Sequence, residues 1–149
     1  MKHIQFIAIL LTMMFSLTVL AGNIASPAGL WKTFDDDGSP SGYVRINEIN
    51  GIYTGVIEKG LATDKEDKYC TLCTDERKDQ KLVGMTIIKN VKAKGGEYSG
   101  GEILDPFSGK TYKLKLKLKD AGKKLEVRGY LGISIFGRTQ VWQRTDGEE

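Results

Sequence analysis

The sequence predicts an all-β fold, in which residues 22–149 form a single antiparallel, up-and-down barrel of eight strands. Two observations support this prediction. Short runs of β-favouring residues alternate with Gly-rich or polar turns, and no stretch after residue 21 has a long helical period. A meander of strands exposes its edges unless the sheet closes on itself. Eight strands suffice to close a small barrel around side chains or one small ligand, so we favour the barrel over a two-sheet sandwich.

The strands are predicted in order along the chain, and a hairpin signal joins the second to the third. Asn50-Gly51 separates two β-rich runs, and both central residues of a type I′ turn require positive φ angles. Sequences such as KAKGGE and DPFSGK are typical of turns between neighbouring strands. The eight predicted strands cover residues 30–34, 42–49, 52–59, 82–89, 97–104, 111–119, 124–131 and 135–144.

In the sixth predicted strand, apolar and basic side chains alternate without interruption. One face holds Tyr112, Leu114, Leu116 and Leu118, and the other holds Lys113, Lys115, Lys117 and Lys119. This period of two predicts that the apolar face points into the barrel. The lysine face is expected to be solvated and to discourage aggregation between strand edges, with contact to acidic lipid head groups as the alternative.

The eighth predicted strand has two faces that the sequence does not rank. Phe136, Arg138, Gln140 and Trp142 share one face, and Ile135, Thr139 and Val141 share the other. If the first face points inward, Trp142 and Gln140 enter the barrel. If the second does, Trp142 and Tyr130 decorate the outer wall as a candidate partner surface. A shift of one residue in register exchanges the two outcomes, so both stay open.

The first 21 residues have the pattern of a signal peptide. A basic start at Lys2 precedes an uncharged, largely apolar run over residues 4–20, and Val19-Leu20-Ala21 supplies the small residues that signal peptidase recognises. Asn23 stands where a lipoprotein signal requires cysteine. We therefore expect cleavage before Gly22, a periplasmic or secreted protein, and no integral membrane span after processing.

Composition argues against several classes of function. The only histidine, His3, lies in the predicted leader, so the mature chain lacks a Ser-His-Asp triad, a Cys-His pair and any histidine-ligated metal. The whole chain carries a net charge of +3 and the leader contributes one lysine, which leaves too little positive charge to indicate nucleic-acid binding. We expect no enzyme, no cofactor and no metal site, with carboxylate chemistry as the residual enzymatic alternative.

Two cysteines, Cys70 and Cys73, lie in the one long connection, residues 60–81. In an oxidising compartment such a pair usually forms a disulfide. A redox site would require the motif at a helix start within a βαβ unit, and a zinc site would require further ligands. The connection carries charges of both signs and is expected to be either a lid or binding loop at the barrel mouth or a stapled surface loop.

Several motifs resemble those of a known family. GLW at 29–31 is similar to the Gly-x-Trp start of lipocalins and related calycin-type barrels. GGEILDPFSGKTY at 100–112, LEVRGYLG at 125–132 and FGRTQVWQR at 136–144 resemble a family of small exported bacterial proteins known only as a domain of unknown function. The resemblance implies a lipocalin-like barrel, in which Trp31 packs across the closed end against Arg144 or Arg138 as a cation–π partner. Trp31 as part of a ligand site is the alternative.

The fold predicts a binding protein that carries or senses a small hydrophobic or amphipathic molecule in the barrel interior. The residues expected to line that site are Tyr112, Leu114, Gly129, Gln140 and Trp142. Short side chains expected to leave room for the guest are Thr54, Gly84, Gly100 and Gly129. The alternative is a protein-binding barrel, such as a periplasmic enzyme inhibitor or an envelope-stress interaction protein. An open apolar interior would favour the first function and a packed interior the second.

Overall fold

The computed structural model describes residues 25–61 and 68–147, so the predicted leader lies outside the described residues. Eight antiparallel strands form one closed barrel, in which each strand pairs with the next and the last pairs with the first. The strands are β1 (Gly29–Phe34), β2 (Pro40–Ile49), β3 (Ile52–Gly60), β4 (Thr86–Lys94), β5 (Glu97–Asp105), β6 (Lys110–Lys119), β7 (Lys124–Tyr130) and β8 (Arg138–Thr145). This confirms the predicted up-and-down barrel, and the sandwich alternative is wrong.

Closure depends on the pairing of β8 with β1. Trp31 lies opposite Arg144, and Leu30 lies opposite Thr145. The predicted β2–β3 hairpin is also present, with positive φ angles of 53° at Asn50 and 79° at Gly51. A small residue is needed where β5 crosses β4, because a Cβ atom at Gly101 would lie 2.2 Å from the backbone oxygen of Lys89.

The core lies inside the barrel, and β6 supplies its centre. Leu114 and Leu116 are fully buried, whereas Lys113 and Lys117 are exposed, which confirms the predicted inner and outer faces of this strand. Their neighbours in the core come from every part of the barrel and include Trp31, Ile46, Ile88, Val91, Leu125, Val127 and Trp142. Alternation in β6 therefore positions the apolar interior on which the site depends.

Two predicted strands begin too early. Strand β4 starts at Thr86 rather than at residue 82, because Gly84 has a φ of 88° and the Met85 N–H donates to the Leu82 carbonyl in a turn. It then extends to Lys94, which lies opposite Glu97 across the next hairpin. Strand β8 starts at Arg138 rather than at residue 135, because residues 134–136 form a short 3₁₀ turn. Another 3₁₀ turn, Asp120–Gly122, connects β6 to β7.

The connections divide the barrel into two ends. We call the end that holds residues 35–39, 68–85, 106–109 and 131–137 the open end. The closed end holds residues 25–28 and the turns at 50–51, 95–96 and 120–123. Across the described residues, no helix has the length and apolar character needed to cross a membrane.

Candidate functional site: the barrel cavity

At the closed end, a tryptophan and an arginine seal the barrel. Trp31 is fully buried, and its indole N–H donates to the Pro27 carbonyl at 2.8 Å. The guanidinium carbon of Arg144 lies 4.3 Å from the centroid of the Trp31 ring, within the range of a cation–π contact. Of the two arginines considered from the sequence, Arg144 is therefore the one beside Trp31.

The remaining contacts of Arg144 tie three backbone segments together. Its Nε donates to the Gly122 carbonyl at 2.7 Å, and its two Nη atoms donate to the carbonyls of Ala28 and Ser26 at 2.8 and 2.6 Å. Partial burial among these neutral acceptors lowers the pKa of the Arg144 guanidinium, although such a group stays charged at neutral pH. The segment before β1 and the β6–β7 turn are thus held to the last strand.

Above this sealed floor lies a cavity of about 810 Å³ that opens at the open end. Its walls are largely apolar and include Phe34, Val44, Ile57, Ile103, Tyr112, Val127 and Trp142. The lining also includes polar groups, among them Asp36, Gln140 and Arg138. The site therefore combines apolar walls with a few polar groups, as small-molecule sites usually do.

The pairing of β7 with β8 decides the open question of register. Trp142 lies opposite Leu125, and Gln140 lies opposite Val127, so these side chains share the interior face. Trp142 is buried and lines the cavity, and its indole N–H donates to Gln140 Oε1 at 3.2 Å. The first of the two faces considered for the eighth strand therefore points inward, and Val141 is exposed on the outer wall.

Gly129 lines the cavity beside Tyr112. A Cβ atom built on Gly129 would lie 3.4 Å from the Tyr112 Cβ, an ordinary contact, and its φ lies outside the left-handed region. Leu114, which lies opposite Gly129, is fully buried in the core and does not line the cavity. The other three positions expected to be short interior residues, Thr54, Gly84 and Gly100, do not line it either, and that expectation was wrong.

The rim of the cavity carries charge. Arg138 forms an ion pair with Asp36 on the β1–β2 turn, and both side chains are mostly exposed. This places Arg138 at the end of the barrel opposite to Trp31. Asp35 and Asp37 also line the opening. The rim can therefore contact a polar head group while apolar walls surround the rest of a ligand.

The segment 68–85 packs against the open end and forms part of the cavity wall. Cys70 and Cys73 form a disulfide, and both are buried. The Cys70 sulfur lies 3.3 Å from the Pro106 carbonyl oxygen on the β5–β6 turn. Leu82 and Val83 line the cavity, a role the sequence did not indicate because the pattern placed them in a strand. Residues 62–67 of the predicted loop lie outside the described residues.

A buried arginine holds this segment to the barrel. Arg77 donates from Nη1 to the Thr86 carbonyl at 3.1 Å, and its Nε contacts the Asp75 carboxylate at 3.0 Å. The hydrogen bonds from Arg77 lower the pKa of Asp75 to about 2. The hydrogen bond from Arg77 to Thr86 ties segment 68–85 to β4, while the disulfide and the ion pair constrain the segment itself.

Several acidic side chains among the described residues pair with basic neighbours. Within them, no three His, Cys, Asp or Glu side chains cluster closely enough to hold a metal ion. Hydrogen bonds from Arg45, Arg77, Lys89 and Lys124 lower the pKa values of Glu58, Asp75, Glu76 and Asp120 respectively. A carboxyl group prepared to donate a proton has its pKa raised instead.

The barrel as a whole resembles proteins already known. A family model described as an uncharacterized protein conserved in bacteria (DUF2147) matches residues 29–144. None of the curated proteins matches this chain. A solved structure titled "Protein HP1028 from the human pathogen Helicobacter pylori belongs to the lipocalin family" is similar, with 21% identity and a TM-score of 0.72. The match covers 83% of this chain and 86% of that one. The fold is thus lipocalin-like.

Proposed function

We propose that this chain, which belongs to the bacterial DUF2147 family, is an exported protein that binds one small hydrophobic or amphipathic molecule in its barrel cavity. The observation that carries the proposal is the cavity of about 810 Å³. Its size falls within the range of roughly 300–1,000 Å³ that is usual for small-molecule sites. An open apolar interior also favours this function over the protein-binding alternative.

The lining supports an amphipathic ligand. Tyr112, Val127 and Trp142 supply apolar and aromatic walls, and Trp142 is held in orientation by its hydrogen bond to Gln140. Rigid aromatic walls bind apolar guests at a low cost in conformational entropy. At the opening, Arg138 and Asp36 can contact a polar group that stays near water. The proposed pose therefore places the apolar part of the ligand deep and its polar part at the rim.

Export is part of the proposal and has its own support. The first 21 residues carry the pattern of a cleavable leader, and the Cys70–Cys73 disulfide fits an oxidising compartment. We expect the mature protein purified from its own host to begin at Gly22. Intact-mass measurement tests this, and a mature protein that still begins at Met1 would contradict the export proposal.

Ligand binding is tested by titrating the folded protein with an environment-sensitive fatty-acid probe. We expect saturation at one probe per chain. Gly129→Leu should weaken binding by about tenfold or more, because its side chain fills space beside Tyr112 and Ile103. Val141→Leu is the matched control, since it enlarges an exposed side chain on the outer wall. We expect this control to bind as the wild type does.

Thermal unfolding of both variants establishes that each folds before binding is compared. Gly129→Ala provides a milder second test, because its single added methyl group makes only ordinary contacts. A wild-type protein that is folded and yet binds no such probe at micromolar concentration would refute the proposal. Native mass spectrometry of protein from its own host would then show whether another small molecule is retained.

A further inference from the structure

The open end displays an unusual concentration of exposed apolar side chains. Seven of the nine large hydrophobic residues that the described residues expose lie there: Tyr69, Leu72, Phe107, Leu131, Ile133, Ile135 and Phe136. Four of them belong to one seven-residue connection between β7 and β8, residues 131–137, which we call the mouth loop. Ile135 is 72% exposed and Phe136 is 82% exposed. Clustered exposure of this kind marks an interaction surface.

The mouth loop is held in this exposed arrangement by one arginine. Arg128 lies on the outer face of β7 and donates from Nε to the Ser134 carbonyl at 2.7 Å and from Nη2 to the Ile135 carbonyl at 3.1 Å. Its Nη1 donates to Thr139 Oγ1 at 2.6 Å. The loop backbone is therefore fixed on the barrel wall while its apolar side chains point toward solvent, so their exposure is part of the folded arrangement.

Basic side chains lie directly behind the mouth loop. Lys115 Nζ is 3.4 Å from Ser134 Oγ, and Lys113 is the next outward residue of β6 toward the open end. Farther from the loop, Lys117 and Lys119 pair with Glu97 and Glu126 at 3.4 and 3.7 Å. Within residues 25–61 and 68–147, Lys113 and Lys115 have no carboxylate partner. The part of the lysine stripe that forms no ion pair is thus the part beside the apolar loop, where Glu102 lies opposite Lys113 and Arg128 lies opposite Lys115.

We propose that the open end docks on an anionic lipid surface through the mouth loop. The side chains of Ile133, Ile135 and Phe136 would enter the boundary between head groups and acyl chains, while Lys113 and Lys115 contact lipid phosphates. Apolar residues with cations close behind them are the combination that binds the surface of acidic bilayers. Two observations choose lipid over a protein partner: the charge arrangement, and the continuity of this surface with the cavity.

Because the exposed loop is continuous with the cavity, docking would bring the cavity opening to the lipid surface. Leu131 and Phe136 line the cavity as well as the exposed loop, so an apolar path leads from the proposed lipid contact to the interior. The acidic part of the rim, around Asp36, adjoins the mouth loop on its β8 side, where Asp36 pairs with Arg138 at the start of β8. Lys113 and Lys115 lie on the other side of the loop, on β6. Docking is therefore expected to be tilted toward β6 and β7. Vesicle binding does not depend on whether the cavity accepts a guest, so the two proposals can fail separately.

The test is co-sedimentation of the mature protein with vesicles. We expect binding to vesicles rich in phosphatidylglycerol, weaker binding to vesicles of phosphatidylcholine alone, and loss of the difference at high salt, because salt screens the lysine contacts. Ile135→Ser/Phe136→Ser should weaken partitioning by about tenfold or more. Ile49→Ser is the matched control, because Ile49 is 70% exposed at the closed end and its loss should leave binding unchanged.

The contribution of the lysines to vesicle binding is tested by a second pair of variants. Lys113→Gln/Lys115→Gln should weaken binding to phosphatidylglycerol vesicles by roughly tenfold, since each lysine near an anionic surface contributes. Lys117→Gln, lower on the same stripe and paired with Glu97, should change it little. The affinity of these lysine variants for the fatty-acid probe in solution should equal that of the wild type.

The proposal is overturned if the wild type binds neither kind of vesicle, or if Ile49→Ser weakens binding as much as the mouth-loop variant. Analytical ultracentrifugation separates one further outcome. Self-association that disappears in Ile135→Ser/Phe136→Ser, without vesicle binding by the wild type, would assign the surface to a second copy of the chain instead.

Discussion

The two ends of the barrel are built from the same eight strands but differ in the surroundings of their aromatic and basic side chains. At the closed end, Trp31 is fully buried and Arg144 is committed to three backbone carbonyls and the indole ring. At the open end, Phe136 is exposed and Arg138 holds a solvent-exposed ion pair. One end therefore contributes stability, and the other provides the cavity and its surroundings.

The comparison also shows why the cavity can stay open. The residues that line an apolar cavity make fewer packing contacts than residues in a filled core. Leu116, Leu125 and their neighbours pack fully below it, and the Trp31–Arg144 contact seals the floor. Arg77 ties segment 68–85 to β4, and the disulfide constrains that segment internally. The packed core below the cavity and the attached segment 68–85 at the open end thus hold the cavity walls in place without filling the cavity.

The largest expected effect comes from removing the closed-end aromatic residue. Trp31→Ala should lower the free energy of unfolding by about 3–5 kcal/mol, because it empties a fully buried site and removes the ring beside Arg144. Phe136→Ala, at the open end, should change it by less than about 0.5 kcal/mol. Chemical denaturation of both variants measures the difference, and equal losses would contradict the division between the two ends.

The next effect compares two arginines on one strand. Arg144→Gln should lower the free energy of unfolding by about 2–4 kcal/mol, because three carbonyl acceptors and the indole ring lose a charged donor. Arg138→Gln should cost less than about 1 kcal/mol, since its ion pair with Asp36 is exposed. If Arg138→Gln proved the more destabilising, the assignment of Arg144 as the sealing residue would be wrong.

The smallest expected effect concerns the stability at acid pH that Asp75 in segment 68–85 contributes. The pKa of Asp75 is lowered to about 2 in the folded protein from an ordinary value of 3.8, so its stabilising contribution is present above about pH 4 and is lost as the pH falls toward 2. The side chain is 36% exposed, and solvent screening keeps this contribution below about 1 kcal/mol.

Asp75→Asn isolates this contribution from those of the other acidic groups. Unfolding free energies measured from pH 2 to 6 should rise less steeply with pH in the variant than in the wild type. The two curves should approach each other as the pH falls toward 2, where about half of the folded wild-type carboxylate is protonated. Parallel curves over the whole range would show that the Arg77–Asp75 pair does not stabilise the folded state.

Local sequence patterns predicted most of the fold. The alternation in residues 111–119 places side chains on two faces of a strand whatever its neighbours do, and Asn50-Gly51 marks a hairpin through backbone angles that few other residues adopt. The same patterns erred at Leu82 and Val83, because a short apolar run fits a strand and a buried turn equally well. Only the packing of segment 68–85 against the barrel brings these two residues to the cavity.

The candidate site depended more on tertiary structure. The sequence alone established an alternating eighth strand, two arginines within it and a tryptophan near the start of the chain. Which face of β8 points inward was decided by its pairing with β7, and which arginine meets Trp31 was decided by the closure of β8 on β1. The physical reason is that side-chain alternation is a local property of an extended chain. Its phase relative to the core is set by hydrogen bonds to strands distant in the sequence.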